Sequence, residues 1–417
     1  MKFFPRSFLR LLAGLSFLIT PLIAAVIGTN PPCPPLSAER IAALPAADQP
    51  AWRDYLARSA AAFAADKKFY ADELTALGLT QPLVPTRGRE VPLKQPADWY
   101  SSAEALRVAD NLVSFQTPAG GWNKNTDFTT RARRPGERSG YEARYIGTID
   151  NDATITPLRF LAGVIAANGD KPAVAPHRAA FFLGLNYLFA AQFPSGGWPQ
   201  VYPLEGEYHD AITFNDGATV NVLILLRDVA AGAGFVFVPP EIRARAAAAA
   251  SRGLSCILAA HIVTAEGRRT VWGQQHDPLT LAPVSARAYE MPSQSAGESA
   301  GIMRYLMTLP DPSPAVIAAV HAAAVWFERT ALNNVVFALA PDGSGHQLIP
   351  TPGAPALWAR YTEIGRDRPL FGDRDRSIHD QVGEISKERR AGYAWFGTAP
   401  KTALAAYLKW SQRYPKK

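Results

Sequence analysis

Gln116-Thr-Pro-Ala-Gly-Gly-Trp122 and Gln192-Phe-Pro-Ser-Gly-Gly-Trp198 are two copies of one motif in a single chain. Each copy follows a segment of helical periodicity and precedes another. The Gly-Gly step lets the backbone turn sharply, and the Trp offers an apolar anchor for the turn. A repeat built on a helix pair predicts a mainly α fold of the α/α toroid type, with helices alternating between inner and outer rings. Trp122 and Trp198 therefore have a structural role open to them, as plugs of the repeat. Trp198 also begins a polar, aromatic stretch containing Tyr202, Tyr208, His209, Asn215 and Asp216. Rings and acidic groups at that density suit a surface that stacks flat sugars and holds a cation.

Apolar residues three and four apart predict helices over 52–65, 103–115, 152–167, 175–192, 216–231, 240–262, 294–309, 314–330 and 401–412. Pro176, Pro240 and Pro314 lie near helix starts, where a missing N–H costs little. Hydrophobic residues make up 48% of the chain, enough for a sizeable core. Long polar segments at 117–151, 193–215, 268–293 and 333–397 separate these helices. Loops of that length in a compact domain are commonly functional, and these carry the Trp, Asp, Arg and His residues. Short β-hairpins are expected within them, for example over 335–348 around Pro341-Asp342-Gly343.

Lys2, Arg6 and Arg10 precede an apolar run that extends to Gly28, the pattern of a secretory signal over 1–28. Residues 29–50, rich in Pro and Ala, read as a linker or wrapped tail before a main domain at 51–417. A retained membrane anchor is the competing reading of the N-terminus; a soluble, secreted or periplasmic body is the expectation. An oxidising compartment would permit a Cys33–Cys256 disulfide, although spacing alone does not bring the two thiols together. The net charge of +7 suits an acidic partner. No nucleic-acid-binding motif or long basic run is present, so an acidic polysaccharide fits the expected compartment better.

Four clusters carry the chemistry. Thr148-Ile-Asp150-Asn151-Asp152-Ala-Thr154 supplies the hard oxygen donors that calcium requires, or else a helix cap. Phe214-Asn215-Asp216-Gly217 stands at another helix entry. Ser285-Ala-Arg287-Ala-Tyr289-Glu290 lies in a loop. Arg360-Tyr-Thr-Glu-Ile-Gly365 begins a run through Arg374 to Arg389-Arg390-Ala-Gly-Tyr393-Ala-Trp395. Guanidinium groups match carboxylates through paired hydrogen bonds, so Arg residues among aromatics describe a groove for a uronate polymer.

These clusters resemble the family 10 polysaccharide lyases, pectate lyases built on an (α/α)3 toroid. The resemblance runs from about Ala103 onward, through GGWNKNTDF, TIDNDAT, GGWPQVYP, YHDAITFNDGA, WGQQHDPLTLAPVSARAYEMPS, RYTEIG and ERRAGYAWFGTAPK. It implies cleavage of polygalacturonate by calcium-assisted anti β-elimination. By that resemblance Asp150, Asn151 and Asp216 bind Ca2+, and Arg287 is the base. Arg360 and Arg374 hold substrate carboxylates, with Lys124, Asn125, Trp198, Tyr208 and His209 lining the groove. An arginine base requires a guanidinium depressed by desolvation and neighbouring cations.

Other chemistries also fit parts of the sequence. His209 and His276 are alternative bases with suitable ordinary pKa values. Glu290 with Asp150 is a candidate carboxylate pair for hydrolysis. Gln-x-x-x-Gly-x-Trp is also a repeat signature of terpenoid cyclases, and a non-catalytic pectin-binding toroid would keep the same surface.

Overall fold

A computed structural model describes residues 25–88, 91–144 and 146–416. Most of the expected signal segment, residues 1–24, lies outside the described residues. The helices are α1 (Ala38–Ala42), α2 (Gln49–Ala76), α3 (Ala103–Phe115), α4 (Ile155–Asn168), α5 (Ala175–Ala191) and α6 (Ala218–Ala231). They continue with α7 (Pro240–Ala259), α8 (Ala296–Met307), α9 (Pro314–Thr330), α10 (Lys387–Ala391) and α11 (Ala399–Arg413). The period-based expectations thus hold to within a few residues, except that α2 runs eleven residues beyond its expected end. Ala and long-chain residues favour a helix through that extension.

Three inner helices, α4, α6 and α8, stand side by side. Each packs against the helix that follows it, α5, α7 and α9 respectively. The inner helices are buried on most faces, as a helix apolar nearly all round must be. This arrangement is the (α/α)3 toroid, a mainly α fold with short antiparallel hairpins and, among the described residues, no closed barrel.

The repeat motif has a clear mechanical role. The Trp122 indole N–H donates to the Leu112 carbonyl at 2.8 Å, and Trp198 to Leu188 at 2.8 Å. The Gln116 amide donates to the carbonyls of Gly120 and Ala180; Gln192 donates likewise to Gly196 and Ala249. Each motif therefore ties its own turn to the next outer helix. Trp272 forms a third copy without the Gly-Gly step, its indole donating to Ile257 at 2.7 Å. The backbone N–H groups of Thr148, Thr213 and Ser295 then donate to the carbonyls of Trp122, Trp198 and Trp272. Three loops are thereby steered in the same way into the N-termini of α4, α6 and α8.

A small antiparallel sheet flanks the toroid, in the order Gly28–Thr29, Ser377–His379, Pro369–Gly372, Tyr361–Thr362, Gln294–Ser295. Its registers pair Gly28 with Ile378, Ile378 with Gly372, Tyr361 with Leu370 and Gln294 with Thr362. The hairpin of Val335–Leu339 and His346–Pro350 turns at Asp342-Gly343, as its sequence predicts. Residues 29–50 run along the body, anchored at one end by this sheet and at the other by α1 and α2. Cys33 and Cys256 are both free thiols. Among the described residues no helix is long and apolar enough to cross a membrane.

Candidate active site

The turns entering α4 and α6 share one design. Thr154 and Thr219 donate back to the carbonyls of Thr148 and Thr213 at 2.7 and 2.6 Å. Asn151 and Asp216 occupy the left-handed region, with φ of 49° and 50°. Asn and Asp tolerate that conformation better than other side-chain-bearing residues, and such strain concentrates at functional sites. The two turns touch, and Asn221 of α6 donates to Asp152 at 2.7 Å across them. Asp150, Asn151 and Asp216 are therefore gathered where two helix N-termini favour negative charge.

Asp150 is buried. One of its carboxylate oxygens accepts from Lys124 Nζ at 2.6 Å, and the other has no hydrogen-bond partner among the described residues. Asp216 accepts from the Asn215 amide at 3.0 Å. Burial, then the nearby Glu298, push the Asp216 carboxyl above its ordinary range, with Arg360 acting in opposition. Among the described residues no three His, Cys, Asp or Glu side chains form a metal cage. Two carboxylates, one of them with an unpaired buried oxygen, and one amide instead fit an open site for a hard cation, with positions left for a ligand.

Grooves open on both sides of these turns. One, of about 790 Å³, is lined by Lys124, Asn125, Asn151 and Asp152 on one wall and by Val91 to Gln95 on the other. The second, of about 630 Å³, carries Asp216, Glu298 and Arg360. Arg360 donates to Glu298 at 3.1 Å and to Asn215 at 3.2 Å, which fixes its head beside the acidic turns. Burial works most strongly against its charge, but Glu298, Tyr361, Tyr393 and Glu290 together outweigh that and hold the proton more tightly.

Arg287 lies with its guanidinium 5.1 Å from the Tyr289 ring and 5.5 Å from that of Tyr393. Arg360 stands 5.0 Å from the Tyr393 ring, so Tyr393 links the two arginines. Arg374 and Arg389 also reach Tyr289, at 6.0 and 4.6 Å, and both pair with Glu388. Arg374 is thus on the same face as Arg287, largely exposed. One expectation is reversed here. Burial does work to depress Arg287, but its ion pair with the buried Glu290 outweighs that and raises it above the ordinary arginine value.

Trp198 does not line the groove. It is fully buried, its indole spent on the Leu188 carbonyl, with its ring against Gly253 of α7. Plugging the repeat is its role, as for Trp122. The rings of Tyr208 and His209 pack together, tilted by 30° with centroids 3.9 Å apart, Tyr208 partly exposed and His209 buried. Asn125, with φ of 57°, donates to Glu142 at 2.8 Å on the groove wall.

The rival bases fare less well. Both ring nitrogens of His276 are occupied, by the Gly273 N–H at 2.9 Å and the Leu281 carbonyl at 2.7 Å, in a fully buried setting. Burial lowers it to about 4. Burial, then Lys124, lower His209 to about 4 as well. Glu290 is no proton donor: burial alone would raise it, but Arg287 and Tyr393 hold it below the ordinary carboxylate range. A cyclase needs an apolar, aromatic-lined cavity, whereas these grooves present Lys, Arg, Asp and Glu.

The wall at Val91 to Gln95 and the anchoring by Glu298 were not legible beforehand. The first precedes the recognisable motifs; the second reads in sequence as an ordinary residue in a helical first turn.

The family model described as pectic acid lyase matches residues 116–404. Family 10 polysaccharide lyase from Cellvibrio cellulosa is similar in structure, with a TM-score of 0.64 and 33% identity over 77% of this chain and 98% of that one. A mutant of the Cellvibrio cellulosa enzyme in complex with trigalaturonic acid matches with a TM-score of 0.64, 32% identity, and coverage of 79% and 100%. A comparison with curated proteins gives no match.

Proposed function

The chain belongs to the pectic acid lyase family and is a polysaccharide lyase, and we propose that it cleaves α-1,4-linked polygalacturonate by calcium-assisted anti β-elimination outside the cytoplasm. The observation that carries this reading is the convergence of Asp150, Asn151 and Asp216 beside Lys124 and Arg360 in one groove system, with Arg287 joined to Arg360 through Tyr393. A uronate polymer presents a carboxylate on every ring, and these cations answer that charge.

The C5 hydrogen of a uronate is acidified by the adjacent carboxylate, but removing it adds negative charge to a group already anionic. Asp150, Asn151 and Asp216 are the residues to hold calcium. When bound, calcium offsets the developing charge at the substrate carboxylate. Arg360 and Arg374 orient substrate carboxylates. Neutral Arg287 takes the C5 proton; the C5–H pair becomes the C4=C5 double bond; the C4–O4 bond breaks toward oxygen, which leaves and is protonated by solvent. The products are a 4,5-unsaturated oligogalacturonide and a chain with a free O4 hydroxyl.

Glu290 keeps most Arg287 protonated near neutrality, so turnover should climb into the alkaline range. Arg287→Lys tests the assignment. The expected result is loss of most turnover, with polygalacturonate binding retained in an affinity measurement. Turnover near the unsubstituted level would place the base elsewhere.

A further inference from the structure

The turn that carries Arg287 is held by a residue far outside the matched part of the family. Asn30 is fully buried, and its side-chain amide nitrogen faces three backbone carbonyls at once: Arg287 at 3.1 Å, Ala288 at 2.8 Å and Glu290 at 3.1 Å. An amide nitrogen is the only end of an Asn that suits three acceptors. Its neighbours are fastened as well. The Asn30 N–H donates to the Arg376 carbonyl at 2.8 Å, and Arg376 returns a bond to the Asn30 carbonyl at 3.1 Å. Ser285 donates to the Pro31 carbonyl at 2.5 Å. Gly28 and Thr29 pair with Ile378 and Ser377. The N-terminal stretch therefore crosses the body and presses one donor group into the Ser285–Glu290 turn.

That turn also has an internal lock. Glu290 N–H donates to the Arg287 carbonyl at 2.8 Å, and its carboxylate accepts from the Arg287 backbone N–H at 3.0 Å and from the Tyr393 hydroxyl at 2.6 Å. The lock fixes the turn on itself. The strap fixes it against the rest of the molecule, because Asn30 gives the Ala288 carbonyl a donor and adds a second donor to the carbonyls of Arg287 and Glu290, which already accept from the Glu290 and Ala286 N–H groups.

We propose that residues 28–31 act as a strap, with Asn30 a positioning residue that fixes the Arg287 turn for catalysis. The inference rests on the reading of Arg287 as the base. It goes beyond that reading because the strap precedes the matched residues 116–404, so the geometry at Arg287 depends on a segment the family match does not contain. Among the described residues Asn30 bonds to the Arg287 turn and to Arg376, which precedes the Ser377–His379 strand, and not to Asp150, Asn151, Asp216 or Arg360. Its loss should therefore blunt the chemical step more than substrate binding.

The test compares Asn30→Ala, Asn30→Gln and Ser285→Ala with the unsubstituted full chain, at a temperature where circular dichroism shows each folded. Two readouts are taken: steady-state kinetics on polygalacturonate with calcium, and hydrogen exchange at the Ala286 and Glu290 amides. For Asn30→Ala, kcat should fall at least about tenfold, as expected for a displaced catalytic group. KM should stay within about twofold, and exchange of both amides should accelerate. Asn30→Gln, which keeps the donor, should recover part of both losses. Ser285→Ala should show smaller changes of the same sign, and it carries the test if Asn30→Ala does not fold. Unchanged kcat and exchange in folded variants, or a KM that rises in step with the fall in kcat, would overturn the strap. An inactive unsubstituted chain, with exchange still accelerated in Asn30→Ala, would instead overturn the lyase reading and leave the strap standing as a structural clamp.

Discussion

Replacing Arg360 by Gln should cost both stability and function, and the two losses can be separated. Arg360 donates to Glu298 at 3.1 Å and Asn215 at 3.2 Å, with side-chain exposures of 18% for Arg360 and 4% for Glu298. Removing one partner of a buried ion pair strands the other, at about 3–5 kcal/mol. Water reaches Arg360 through its exposed part, and the Ser295 hydroxyl still donates to Glu298, so the low end applies, roughly 3 kcal/mol. Arg360→Gln with Glu298→Gln removes the stranded charge. It should recover about 2 kcal/mol of that loss, giving a coupling energy within the usual range for residues in contact. Polygalacturonate affinity should stay low in both variants, because neither has a guanidinium for the substrate carboxylate. Urea unfolding followed by Trp fluorescence gives the stabilities, and KM gives the affinity. A single variant within about 0.5 kcal/mol of the unsubstituted chain, or a double variant no more stable than the single, would refute the reasoning.

Gly184→Ala and Gly253→Ala should each destabilise the protein, although Ala is favoured over Gly in a helix by about 1 kcal/mol. A Cβ at Gly184 would lie 2.8 Å from Leu158 and 2.9 Å from Trp122; at Gly253 it would lie 2.6 Å from both Leu223 and Trp198. Overpacking costs about 1–3 kcal/mol, so a net loss of roughly 1 kcal/mol is expected in urea unfolding; a gain would show that the plugs yield. Asp66→Asn should stabilise the protein at alkaline pH. Burial raises the Asp66 carboxyl to about 6, so the native state holds its proton more tightly than the unfolded chain. That contribution is complete below the unfolded value and is lost as pH rises through about 6. The variant's advantage should therefore grow from about pH 4 to pH 6 and level off at about 1–3 kcal/mol; unfolding midpoints measured across that range would show a flat difference if the reasoning is wrong.

The helices were legible because burial imposes a period that sequence records directly. The toroid was legible through the Gln-to-Trp motif, but its third copy was hidden. At Trp272 the preceding residues are Thr270 and Val271, and the equivalence shows in the indole bond to Ile257 and in the Ser295 N–H that donates to the Trp272 carbonyl. Asp150, Asn151 and Asp216 are grouped in sequence by the oxygen donors they offer at two helix entries and by the family resemblance. Trp198 could not be assigned from sequence, since a plug and a stacking platform require the same ring. The direction of the Arg287 pKa is not legible in sequence, because Glu290, three residues on, reads as one half of a carboxylate pair and only the fold makes it the ion-pair partner of Arg287. Asn30 reaches the 287–290 turn across more than half the chain, and no local pattern announces a contact of that range. The sheet that brings Gly28 to Ile378 is equally silent, because two-residue strands carry almost no periodic signal.

The central claim is elimination at a uronate, assisted by a cation held at Asp150, Asn151 and Asp216. The most direct measurement incubates the purified protein with polygalacturonate and follows the ultraviolet absorbance of an unsaturated uronide, with calcium and after exhaustive chelation, across pH. The account predicts absorbance that grows with calcium, rises into the alkaline range, and stops on chelation. Cleavage without that absorbance, undiminished activity after chelation, or an optimum at mildly acidic pH would contradict it.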